Sequence, residues 1–503
     1  MKVNDKKFTD QRFYWLFFLF ILGIAVILRL PYLSVERLWP DEALYAWAAK
    51  RIFLHPELIF SKEIVDFHPP LFSLLLSFGH FFFSGQLACH VVVFLINILG
   101  IAAIYFLGAK INGRFLGSFA AMALSFSLLY FEMSSCILID GVLVVFTILF
   151  FYVLAGVSLK KITRQDFYLG FAAMALILLK WSGGLMLPFL FCYYLLAFPE
   201  ITFRERLTKA AVPLTFCAVL VGILLWHNHE ILGSWLPKVF DASTSRYLRP
   251  FFFYYDQFLN NIVSASFLPF FIFGLWNMLK SSDRNCWVHG FWVVFVFLVI
   301  SIMPTKDMRF MMPFIPSCIL VTGMGLDAVL TKVEKITALS FLRPICLLVI
   351  GGFCIFSQYP TIEKYITLKS YGYVGYRAAG AYLKKEFAGS PDMSIFASSP
   401  RMIRYYTDIN FKEFGGNISY LPESEDEFIR MIKNSSSNIV LVLDIWEWAQ
   451  PKWIYPLEDK HLQLLSDLGF QLEGVINRDV LLKDNSFEKK AVVLIFRRHG
   501  KGL

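Results

Sequence analysis

Apolar and polar positions alternate on a coarse scale along this chain. About eleven apolar runs, near 13–30, 87–108, 115–133, 141–158, 167–182, 184–199, 210–228, 262–279, 287–304, 310–329 and 344–358, have the length of membrane-crossing helices. A shorter apolar piece, 69–85, opens with Pro69-Pro70 and reads as a re-entrant or interfacial helix, so the count is held at about 11–13 crossings. With the N-terminus in the cytoplasm, the loops on its side are 1–12, 109–114, 159–165, 200–209, 280–286 and 330–343. Every one is basic, as the positive-inside rule asks.

Beyond Tyr359 the pattern changes. Short β-type runs at 394–397, 438–443, 472–476 and 491–496 alternate with helical patterns at 373–387, 400–407, 424–433 and 457–469. The expected architecture is a polytopic α-helical membrane domain over 1–358, whose first outer loop carries juxtamembrane helices, followed by an extracytoplasmic α/β domain over 359–503.

Composition strengthens this reading. The chain of 503 residues is 57% hydrophobic and 17% aromatic, with a mean hydropathy of +0.58, too apolar for a soluble enzyme. Its net charge of +9 would suggest nucleic acid in a soluble protein; here the cations collect in loops on one side of a membrane. The eight cysteines lie in or beside apolar runs without a Cys-x-x-Cys pair, which argues against a disulfide framework or a zinc site. Met1 to Arg12 has the basic start of a signal peptide but no small-residue cleavage site after the apolar run, so an uncleaved first helix is expected.

The candidate chemistry sits on the outer side of this topology. The polar insert from Trp39 to Pro70 opens with Trp39-Pro40-Asp41-Glu42 and closes with Asp66-Phe67-His68-Pro69-Pro70. Pro40 suits the first turn of a helix, with two carboxylates directly after it. The same side receives Asp140, Lys180, His227, His229, Lys306 and Arg309. Carboxylates that accept a proton, together with cations that hold a departing phosphate, are what sugar transfer from a lipid phosphate to a hydroxyl requires. Each residue also has a plainer explanation. Asp41 and Glu42 suit a helix N-terminus, Asp140 could cap a helix, Lys180 could snorkel to headgroups, and the two histidines could be ordinary interfacial residues. Lys306 and Arg309 break the positive-inside pattern, which favours phosphate binding for them.

The order of these features resembles the glycosyltransferase-C superfamily, in particular the branch of protein O-mannosyltransferases and lipid A aminoarabinose transferases. The resemblance rests on Trp39-Pro40-Asp41-Glu42, His68-Pro69-Pro70-Leu71, Ile139-Asp140-Gly141, Lys180-Trp181 and the run from Lys306-Asp307-Met308-Arg309 to Pro316, and covers about the first 330 residues. It implies an inverting transfer from a polyprenyl-phosphate sugar to a glycolipid, polymer or protein acceptor at the plasma membrane. Asp41 would be the leading catalytic carboxylate, with Glu42 beside it and Asp140 as a second acidic site. His68, at a position often lysine in relatives, would meet the donor phosphate with Lys180, Lys306 and Arg309. A divalent metal held by Asp41, Asp140, His227 and His229 is a further implication. Two rival readings stay open: a transporter or flippase of lipid-linked sugar, and a non-catalytic membrane relative.

Overall fold

The computed structural model describes residues 2–34, 38–65, 68–158, 161–197, 200–233, 249–250, 252–254, 265–281, 283–303, 306–337, 339, 341–371, 375–387, 393–407, 417–435, 437–444, 451–481 and 486–500. Asp66, Phe67, Pro304, Thr305 and most of the loop 229–261 lie outside the described residues. The chain divides into two compact units, one comprising Met1–Ser34 and Ala48–Tyr365, the other Val35–Trp47 and Ile366–Leu503.

The first unit is helical. It contains α1 (Lys2–Arg29), the second half of α2 (Pro40–Leu54), whose first half belongs to the other unit, α3 (Lys62–Val65), α4 (Leu71–Ser77), α5 (Gly85–Phe126), α6 (Leu128–Ser135), α7 (Ile139–Leu154), α8 (Arg164–Leu179), α9 (Met186–Leu196) and α10 (Phe203–Leu232). It continues with α11 (Leu268–Lys280), α12 (Arg284–Ile302), α13 (Ile315–Thr337) and the greater part of α14 (Leu342–Tyr371). Local sequence sets several ends. Thr202 and Glu205 form a reciprocal capping box at the start of α10, and Gly233 closes that helix in the left-handed conformation at φ 69°.

Each expected apolar run reappears at least in part as helix among the described residues. Among the described residues six helices are long and apolar enough to span a bilayer, seven if α6 and α7, bent by 114° at their junction, make one span. That tally takes the bent 42-residue α5, which holds the run 87–108 and the start of 115–133, as one helix, and leaves out the shorter apolar helices Leu71–Phe81, Trp181–Leu196 and Leu268–Lys280.

Non-helical backbone at Asn112 and at Gly113, with φ 84°, breaks α5 into two arms. A Cβ on Gly108 would lie 2.9 Å from the Cα of Gly117, a contact impossible along one straight helix. The chain therefore doubles back, and glycine lets the arms touch. Between α11 and α13, added Cβ atoms on Gly274 and Gly325 would each fall 1.9 Å from a facing carbonyl oxygen. Small residues permit this approach where helices cannot gain from a hydrophobic drive within lipid. Basic loop residues are paired internally: Arg343 with Asp327 and Glu334, and Lys209 with Asp166.

The second unit contains a five-stranded sheet in the order β2-β1-β3-β5-β4, from β1 (Met393–Ala397), β2 (Asn417–Tyr420), β3 (Asn438–Asp444), β4 (Gln471–Leu481) and β5 (Phe487–Arg498). Strands β2, β1 and β3 run parallel, and β5 joins β3 and β4 antiparallel. Helices α15 (Tyr376–Phe387), α16 (Pro400–Thr407), α17 (Glu425–Asn434) and α18 (Asp459–Asp467) complete it. Phe428 and Ile432 of α17 and Leu465 of α18 form a core with Ile439, Leu441 and Phe496. The sequence expectation lacks only β2, whose four residues carry little alternation of their own.

Candidate functional site

In the helical unit, the bend between α6 and α7 sets Asp140 in the first turn of α7, where the helix dipole favours a carboxylate. The cap position belongs to Leu138, so Asp140 is not a cap. Lys180 closes α8: its backbone N–H donates to the Leu176 carbonyl while its side chain turns inward. Its Nζ donates to Asp140 Oδ1 at 2.6 Å, and both residues are buried. A snorkelling role for Lys180 is thereby excluded. The same ammonium lies 5.9 Å from the ring of Phe310, part of the 3-10 turn Met308–Phe314. Asp140, Lys180 and the segment after Lys306 are thus brought together from three separate parts of the chain.

That segment is itself tightly held. Asp307 accepts from the Arg309 backbone N–H at 2.9 Å and pairs with its guanidinium, with Nη2 3.2 Å from Oδ2. Lys306 is buried, and its ammonium donates to the carbonyls of Met303 at 2.6 Å and Arg249 at 3.4 Å. Among the described residues no carboxylate lies within ion-pair distance of Lys306. A buried ammonium facing only carbonyl dipoles retains a net positive charge that an anion would offset. Glu132 of α6, which sequence reasoning did not assign to the site, hydrogen-bonds to Tyr365 and lies in electrostatic range of Arg309 and Asp307.

His68 is half-buried and leads through Pro69-Pro70 into α4. His227 shares a hydrogen bond of 2.6 Å with the carbonyl of Phe60, and His229 is exposed on α10. Among the described residues no group of three or more His, Cys, Asp or Glu could hold a metal ion. Of the expected set Asp41, Asp140, His227 and His229, Asp140 pairs with Lys180 and His227 with a backbone carbonyl within the helical unit.

In the second unit the adjacent carboxylates of α2 meet different surroundings. Glu42 reaches back to accept from the Trp39 backbone N–H at 2.8 Å, as the third residue of a helix can. It also pairs with Lys369, the two side chains being 0% and 3% exposed. Burial pulls the Lys369 ammonium well below the usual lysine range. The Glu42 carboxylate against it, and the Trp39 ring 4.8 Å away, supply the compensation a charged lysine needs there. Asp41 instead points to a wetter surface and pairs with Arg401 of α16 at 2.5 Å, with side-chain exposures of 38% and 20%. One turn along α16, Arg404 lies 5.2 Å from the centre of the Trp47 ring. Lys369, Arg401 and Arg404 were not foreseen; the spacing of the two arginines on one helix face was the only local signal.

Comparisons with known proteins agree with this architecture. Residues 67–226 match the family described as dolichyl-phosphate-mannose-protein mannosyltransferase. An uncharacterized protein of Aquifex aeolicus (strain VF5) is 26% identical over 354 residues, covering 66% of this chain and 68% of that one. The crystal structure of ArnT from Cupriavidus metallidurans in the apo state superposes with a TM-score of 0.60 at 17% identity, covering 95% of this chain and 97% of ArnT. ArnT bound to undecaprenyl phosphate gives 0.60 at 16% identity, with the same coverage. The Archaeoglobus fulgidus oligosaccharyltransferase, in complex with Zn and sulfate, gives 0.56 at 13% identity over 94% of this chain and 73% of that one. This chain is a multi-pass membrane protein with the fold of ArnT, and its residues 67–226 are similar to the dolichyl-phosphate-mannose-protein mannosyltransferase family.

Proposed function

We propose that this protein transfers a sugar from a polyprenyl-phosphate donor to a hydroxyl of an extracytoplasmic acceptor, with inversion at the anomeric carbon. The acceptor oxygen attacks from the face opposite the phosphate, its proton passes to Asp41, and the bond to the phosphate breaks. Lys306, Arg309, Lys180 and His68 stabilise the charge left on the lipid phosphate, and Asp140 holds Lys180 in place. Glu42, buried and tied to Lys369, positions the start of α2 and leaves Asp41 as the proton acceptor. The observation that carries this reading is the buried ammonium of Lys306, beside the Arg309 turn and without a carboxylate partner among the described residues. The undecaprenyl phosphate bound by a protein of the same fold is a ligand of the required chemistry.

In membranes supplied with a radiolabelled polyprenyl-phosphate sugar, wild type should label an acceptor, and Asp41→Asn should abolish labelling at an unchanged protein level. Undiminished labelling would remove Asp41 from its role. Movement of the sugar lipid across the bilayer without transfer would favour a transporter.

A further inference from the structure

Arg29, the last residue of α1, is 1% exposed, and an ionisable side chain so placed within a membrane span is costly unless it is paired. Its Nε donates to Ser134 Oγ at 3.1 Å, and its two terminal nitrogens donate to the carbonyls of Ala25 and Ser125 at 3.4 Å each. Those carbonyls belong to the last turns of α1 and α5, so Arg29 caps two helix ends. Capping leaves two of its five N–H donors unused. Among the described residues no carboxylate lies within ion-pair distance of it. The guanidinium borders a partly open pocket of about 190 Å³, which Arg29, Tyr32, His90, Ser134 and Ser135 line together with Phe94. Ser135 is 5% exposed, and its hydroxyl has no hydrogen-bond partner among the described residues. Two costs thus meet at one cavity within the helical unit: a buried cation held only by neutral dipoles and a buried hydroxyl left unpaired.

We propose that this pocket binds a phosphate group, seating one anionic oxygen between the Arg29 guanidinium and the Ser135 hydroxyl. A guanidinium suits phosphate geometry, the hydroxyl adds a further donor, and the lining holds no carboxylate to repel an anion. The depth fits a membrane lipid. Arg29 stands roughly 8–10 Å along the axis from Ser34, the end of the candidate span Gln11–Ser34, close to where hydrocarbon gives way to headgroups. Its surroundings are apolar, with Leu30 46% and Leu95 52% exposed, so lipid chains can lie on α1 and α5 while the phosphate enters; free inorganic phosphate would present the same oxygen. None of these residues takes part in the sugar transfer proposed above. A phosphate held here bridges α1 and α6 beside the bend that sets Asp140 in place.

The test uses the full-length protein, purified in neutral detergent and freed of lipid. Its heat-resistance is read against dioleoyl phosphatidylglycerol, inorganic phosphate and sodium chloride at equal ionic strength. A ligand that binds only the folded state raises stability with concentration, which yields a dissociation constant. Phosphatidylglycerol should stabilise wild type if the source is a lipid, and inorganic phosphate should do so if the source is free. Arg29→Met should weaken that binding by roughly tenfold or more, Arg29→Lys by less, and Ser135→Ala by about three- to tenfold. Without any probe, Arg29→Met should resist heat as well as wild type or better, since it removes a buried cation that has no carboxylate partner among the described residues. An arginine that only caps helix ends predicts a loss instead. Stabilisation of wild type by neither phosphate-bearing probe would overturn the proposal, as would an equal gain from chloride or binding left unchanged in Ser135→Ala. That last comparison decides the matter even if Arg29→Met fails to fold.

Discussion

Replacing Lys180 by methionine removes the cation facing Asp140 while keeping much of its apolar length. The Nζ–Oδ1 separation is 2.6 Å and both groups are buried, so the variant leaves a carboxylate in an apolar interior without its counter-charge. Breaking one side of such a pair costs about 3–5 kcal/mol, a large share of the roughly 5–15 kcal/mol that keeps a domain folded. The double variant Asp140→Leu with Lys180→Met removes both charges and should regain most of the loss, since apolar replacement of a buried pair is often neutral or stabilising. Neither variant should transfer sugar. The assay heats detergent-solubilised protein in steps and measures the monodisperse fraction by size-exclusion chromatography, alongside transfer from a polyprenyl-phosphate sugar. The reasoning is refuted if Lys180→Met is as heat-resistant as wild type. It is equally refuted if the double variant recovers activity together with stability.

Asp41 and Glu42 should respond unequally to neutralisation. Glu42→Gln strands the buried Lys369 and should lower stability by about 3–5 kcal/mol, whereas Asp41→Asn, in a solvated pair, should cost about 1 kcal/mol or less; heat-resistance of the two proteins measures both. Lys306→Met removes a buried charge that lacks a carboxylate partner among the described residues. Its heat-resistance should hold or rise, while undecaprenyl phosphate binding falls by roughly tenfold, and tight binding in this variant would exclude Lys306 from the phosphate site. Gly325→Leu would drive a side chain into the Phe270 carbonyl, so expression of a monodisperse protein should be lost, whereas Gly352→Leu, with nothing within 4 Å of its Cβ, should be tolerated.

Much of the fold was written in local patterns. Apolar runs located the helices, and alternation located four of the five strands, because side-chain periodicity follows directly from backbone geometry. The break at Asn112-Gly113, which folds α5 into two arms, falls in the loop expected at 109–114, whereas the close packing of Gly108 on Gly117 is seen only in the tertiary structure, and run lengths alone do not report which helices fall short of a full crossing.

For the site, the sequence by itself determined which residue types were available: the carboxylates Asp41, Glu42 and Asp140, and the cations Lys180, Lys306 and Arg309 in the order that resembles a sugar-transferring superfamily. Only the tertiary structure decided which of them face one another. It paired Asp140 with Lys180, sealed Glu42 against Lys369, left Asp41 open to Arg401, and turned His227 away to a backbone carbonyl. Those outcomes depend on burial and on contacts between residues 40 to 360 positions apart, and neither propensity nor periodicity extends that far along a chain.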